Sequence, residues 1–216
     1  MHGLPLLLIG MLLFFDGSAT PPSEPSGTSA AVGVGMAMPH LFDGHRLYFY
    51  GIPDFDQVPD DMTPIDSVVF AQGQQHVEIT TAPPWFWPEV MKLDYDLLFL
   101  RAKTLSKNWV EVVVNRETGR TGWIDRQAVR FVDWPQFLLD VHSIEILDPA
   151  ANPIRIKPLD HASILAESPP IPLKVLAVQG SWLQILTDGV ADRIAPTGWI
   201  RWRNGDELLI SYSPLS

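Results

Sequence analysis

The chain has no cysteine among its 216 residues. That excludes disulfides, thiolate metal sites, a cysteine nucleophile and a lipid-modified N-terminal cysteine together. It has no run of Lys or Arg either, and every one of its 15 basic residues lies at or after Arg46. With a formal charge of −10, nucleic acid is not an expected partner, because phosphate affinity comes from clustered cations. An anionic membrane surface is disfavoured on the same ground. The apolar run Leu4 to Phe15 falls short of the roughly 20 residues that a spanning helix needs. None of the histidines, His2, His40, His45, His76, His142 and His161, forms H-x-H or H-E-x-x-H, so the sequence implies no metal site. Asp54 and Asp56 lack the rest of a calcium loop. Gly33 and Gly35 lack the third glycine of a nucleotide loop, and there is no G-x-S-x-G elbow. No cofactor is implied.

Apolar residues make up 46% of the chain, alongside 20 prolines and 15 glycines. There is material for a core, and the punctuation favours short strands and turns over long helices. Residues 1–19 read as a secretory signal: Leu4 to Phe15 is its apolar stretch, although no Lys or Arg precedes it, and Gly17-Ser18-Ala19 offers small residues for cleavage. The expected location is therefore outside the cytoplasm, with no integral membrane segment once the signal is removed. Residues 20–40 read as a Pro/Ser/Gly-rich spacer. Residues 41–76 read as a strand-rich extension that pairs with the first barrel, or as a third, degenerate small unit, with strands over Leu47 to Tyr50 and Ser67 to Ala71 and an acidic loop between them.

Thr-Gly-Trp-Ile occurs twice, at Thr121 to Ile124 and at Thr197 to Ile200. Upstream of the corners, Trp109 pairs with Trp182, Val112 with Ile185 and Glu111 with Gln184. The second copy is longer between its tryptophans, and the extra residues fall in the polar stretch Asp188 to Pro196, where a hairpin loop accepts insertions. Alternation sends Val110, Val112 and Val114 to one face and Trp109, Glu111 and Val113 to the other. Further back, Phe99 to Ala102 is expected to match Val175 to Val178. Forward of the corners, one tight turn and a last strand should close each copy, at Phe131-Val132 and at Leu208 to Ile210. Gly122 and Gly198 permit a bend or a close backbone approach before Trp123 and Trp199.

This pattern, W-x-x-[V/I], a polar hairpin, then G-W-[I/V], resembles the bacterial SH3-like domain. The resemblance implies an all-β chain: two small, strongly bent SH3-like barrels in tandem, over residues 77–135 and 136–216, behind the N-terminal extension. It also implies an exported or cell-envelope setting. The acidic loop, paired tryptophans and Pro-Asn-Tyr turn of the eukaryotic branch are absent, so proline-peptide binding is not carried over. Wall-cleaving enzymes that carry such domains commonly use a catalytic cysteine, which this chain lacks.

The expected function is non-enzymatic recognition of an envelope protein, peptide or glycan. A structural or assembly scaffold is the alternative, and a carboxylate-dependent hydrolase stands third. Candidate binding residues are Trp85, Phe86 and Trp87, an aromatic run between prolines, and Trp202, the other reading being that they pack over the barrel or between the copies. Trp134 and the apolar join Phe137, Leu138, Leu139 and Val141 should bury between the copies.

Overall fold

The computed structural model describes residues 31–166, 172–186 and 197–215. The expected signal, most of the spacer and the Asp188 to Pro196 loop lie outside them. The chain is all-β. The first half runs β1 (Gly35–Pro39), β2 (Arg46–Phe49), β3 (Asp66–Gln72), β4 (Val77–Thr81), β5 (Val90–Lys92), β6 (Leu97–Leu105), β7 (Trp109–Asn115), β8 (Arg120–Asp125) and β9 (Val129–Asp133). One helix, α1 (Trp134–Asp140), follows. The second half runs β10 (Ser143–Ile146), β11 (Ile154–Arg155), β12 (Ile164–Ala166), β13 (Lys174–Gln179), β14 (Trp182–Leu186), β15 (Thr197–Arg201), β16 (Arg203–Asn204), β17 (Glu207–Leu208) and β18 (Ile210–Ser213). Among the described residues no helix is long and apolar enough to cross a membrane.

The sequence repeat is a repeat of strand pairing. In the first half the sheet order is β8-β7-β6-β1-β9. In the second, β15, β14 and β13 lie side by side, an antiparallel bridge joins Leu173 to Ile144 in β10, and β10 pairs with β18. The register matches residue for residue. Gly122 faces Val112 and Gly198 faces Ile185; Trp123 faces Glu111 and Trp199 faces Gln184. The β-bulge also recurs: it lies between Ala102 and Thr104 in β6, and between Val175 and Ala177 in β13. Such a bulge bends and twists its strand. Because Val175 faces Ile185 as Ala102 faces Val112, Val175 matches Ala102. The expected match to Phe99 was a three-residue slip along an apolar run.

The segment before the first corner is not peripheral. Residues 35–39, at the end of the expected spacer, form β1 between β6 and β9. Gly35 suits this place: a Cβ on it would stand against the backbone of Val132 and Asp133. The stretch from β2 to β5 is inserted between β1 and β6. Within it, β2, β3 and β4 form a sheet, and Tyr50 exchanges two backbone hydrogen bonds with Trp123, at 2.8 and 3.1 Å. In the second half Arg155 of β11 pairs with Trp199 in the same way. Each repeat therefore sends a hairpin back onto its own tryptophan corner.

The corner residues follow the expected alternation. Val110, Val112 and Val114 join one core with Phe49, Phe70 and Leu100. Trp109 and Trp123 lie on the other face with Tyr50. There Gln57 accepts a hydrogen bond from Trp109 Nε1 at 3.2 Å, and Phe55 meets Trp123 edge-on at 5.1 Å. The inserted loop thus covers the first corner. In the second repeat Trp182 is covered instead by the Arg201 guanidinium, 4.7 Å from its ring and held by Asp160.

The copies diverge just past their corners. In the first, Asp125 accepts a hydrogen bond from the Gln127 amide and caps a 3-10 turn. In the second, the β16–β17 hairpin takes that place, and the last strand starts only at Ile210. Helix α1 starts at its own cap, Asp133, with Pro135 in its first turn. A second core binds the halves together. It contains Met36, Val132, Trp134, Phe137 and Leu138 from the first half and the junction, with Ile144, Leu183, Ile200 and Trp202 from the second. Val141 is buried as expected, whereas Leu139 faces outward from the helix and is exposed.

Candidate functional site

The aromatic run Trp85-Phe86-Trp87 is held at the edge of the first repeat. Trp87 donates its backbone N–H to Val114 at 2.8 Å and accepts one from Arg116 at 2.9 Å. The Asn115 side chain donates to the Trp85 carbonyl at 3.0 Å. The three rings then part company. Trp85 packs edge-on against Phe49, with the Arg120 guanidinium 4.2 Å from its ring. Phe86 is buried against Phe49. Trp87 remains 46% exposed, with the Arg116 guanidinium 5.9 Å from its ring.

Two of the expected binding residues are therefore corrected to core positions. Phe86 turns inward where a turn closes: its amide donates to the Pro83 carbonyl at 3.0 Å, and Trp87 beyond it is held in a bridge with Asn115. Trp202 is 1% exposed; it lies 5.6 Å from Trp134 and donates from Nε1 to the Gly180 carbonyl at 2.9 Å. It is the anchor of the second repeat in the shared core. The expected structural positions Trp109, Val112, Trp123, Trp182, Ile185 and Gly198 are buried, and Gly122 and Trp199 are partly so.

Trp87 opens onto a cleft of about 680 Å³ between the repeats. One wall is the run from Trp87 to Lys92, and the other is Ile210 to Pro214. A buried polar group crosses its floor. Glu89 accepts from the Arg101 guanidinium at 2.8 Å and from the Tyr212 hydroxyl at 2.6 Å. Arg101 and Glu89 are both largely shielded from solvent. Burial, and next the Glu89 charge, push the Tyr212 hydroxyl far above the ordinary tyrosine range. It stays protonated and acts as a donor. The lining carries the cations Lys92, Arg101 and Arg116 against one carboxylate, Glu89.

The sequence offered no sign of this group, because its members are distant in the chain and Tyr212 belongs to the other repeat. The cleft presents an indole face, a guanidinium beside it and apolar side chains at the rim. Among the described residues no cluster of three or more His, Asp or Glu is placed to hold a metal. No family model matches this sequence, and comparison with curated proteins and with solved structures gave no match.

Proposed function

We propose that the chain is an exported, tandem SH3-like protein of the bacterial cell envelope that recognises a partner without catalysing a reaction. The repeated strand order, the repeated register and the repeated bulge support the SH3-like reading of both halves. One observation carries the recognition reading: Trp87, a large aromatic, stays half-exposed beside Arg116 at the mouth of the inter-repeat cleft. Aromatics and arginines in such settings are the residues that anchor partners. The test is capture of envelope extract or cell-wall material by the protein, compared with Trp87→Ala. Capture that depends on Trp87 supports the reading; equal capture by the variant, or none by either, counts against it.

A scaffold reading has its own support in the core shared by the two halves, which makes one solid body of them. Light scattering of the purified protein distinguishes it: a scaffold assembles or co-purifies with a partner.

A further inference from the structure

We propose that the inter-repeat cleft takes an extended acidic peptide segment of a partner protein, laid along the strand edges that form its walls. The proposal rests on the recognition reading above and assigns the ligand class to that site.

Both walls of the cleft are strands paired on one side. Among the described residues β5 pairs only with β6, and β18 pairs only with β10. Each contributes one wall of the cleft. An edge strand carries unpaired N–H and C=O groups that template another strand, and adding a strand is a recurrent way to hold a peptide. The walls are short, three residues in β5 and four in β18, so the segment held is short too.

The cleft also differs in charge from the chain as a whole. The chain has 25 acidic and 15 basic residues, yet the cleft reverses that balance. Glu89 is committed to Arg101 and Tyr212, which leaves on the rim Lys92 and the Arg116 guanidinium, one nitrogen of which donates to the Glu89 carbonyl at 3.2 Å. Both are exposed. A guanidinium beside an indole is well placed to take a carboxylate. Exposed Met91 and Leu147 line the same cleft. Because side chains alternate along an extended strand, a peptide that alternates acidic and apolar residues meets both kinds of contact.

The test is selection from a random peptide-display library on the full chain, repeated on Lys92→Glu and on Lys92→Glu/Arg116→Glu. Asp and Glu should be enriched at alternate positions. The best enriched peptide, made synthetically, should lose affinity on the order of tenfold against the double variant, since like charges replace opposite ones. Methylating alternate backbone nitrogens of that peptide should abolish binding in one of the two registers. Neutral or basic enriched peptides, no enrichment, affinity unchanged by charge reversal, or indifference to methylation in both registers would overturn the proposal. Trp87-dependent capture of envelope material without peptide enrichment would remove the peptide and leave recognition standing; failure of both removes both.

Discussion

The Tyr212 hydroxyl donates to Glu89 across the boundary between the repeats, at 2.6 Å. Tyr212 sits in β18 at the place that Phe131 holds in β9, since each faces the matching residue of its partner strand, Ile144 and Ala37. The hydroxyl is thus the atom that distinguishes the second copy here, and it reaches the first copy's buried ion pair.

Replacing Tyr212 by Phe should cost about 1.5–3 kcal/mol, the range for a hydrogen bond to a charged group. It should also change the alkaline limb. The folded-state pKa of Tyr212 is raised, so its contribution is complete below the unfolded tyrosine value of about 10 and falls as pH rises above it. Urea unfolding between neutral pH and pH 11 should show wild type losing stability above that value by up to about 1.4 kcal/mol per pH unit more than the variant. Parallel limbs would contradict the buried placement.

Glu89→Ala should be the most damaging polar change, at about 3–5 kcal/mol, because it leaves the Arg101 charge buried without its carboxylate. Glu89→Leu combined with Arg101→Met should recover part of that loss, since removing both charges removes their desolvation penalty, while the Tyr212 hydroxyl still lacks its acceptor. Denaturant midpoints of the singles and the double form the cycle.

The two corner glycines should respond differently. A Cβ on Gly122 would make ordinary contacts with Val114 and Phe49, at 3.5 and 3.9 Å. One on Gly198 would collide with the Ile154 Cγ2 methyl and press on Leu165 at 3.3 Å. Gly122→Ala should therefore change stability by less than about 1 kcal/mol, and Gly198→Ala should cost about 1–3 kcal/mol through overpacking. Ile154→Val keeps the Cγ2 carbon, so it should not rescue Gly198→Ala, whereas Ile154→Ala should relieve part of it. Thermal melts rank all of these.

Trp134→Ala and Trp202→Ala should each cost about 3–5 kcal/mol, and wild type should unfold in a single transition followed equally by near- and far-ultraviolet circular dichroism. Two separated transitions would mean that the shared core does not couple the halves.

What the sequence disclosed was local. Trp109, Val112, Gly122 and Trp123, with their second-half partners, lie on adjacent strands of tight hairpins, so a short alternating pattern and a corner reveal them. Strand β1 escaped because Gly35, Ala37 and Met38 show no period; their fitness comes from the strands on either side, far along the chain. Trp202 is open in the sequence between a packed and an exposed place, because only the packing of one repeat on the other covers it. The Glu89, Arg101 and Tyr212 group was unreadable for the same reason: Glu89 and Tyr212 stand 123 positions apart, and no spacing rule links them.

The residues following the two corners, Asp125-Arg126 and Arg201-Trp202, have a practical consequence. The first copy ends its corner with a turn facing water; the second ends it with an indole facing its sibling. The halves are therefore not interchangeable parts. A designer who doubled the first copy would lose the Trp202 indole from the shared core, and one who doubled the second would leave a large apolar ring in solvent at one end. The order of the copies is thus encoded in part at this pair of positions, beside the other members of the shared core.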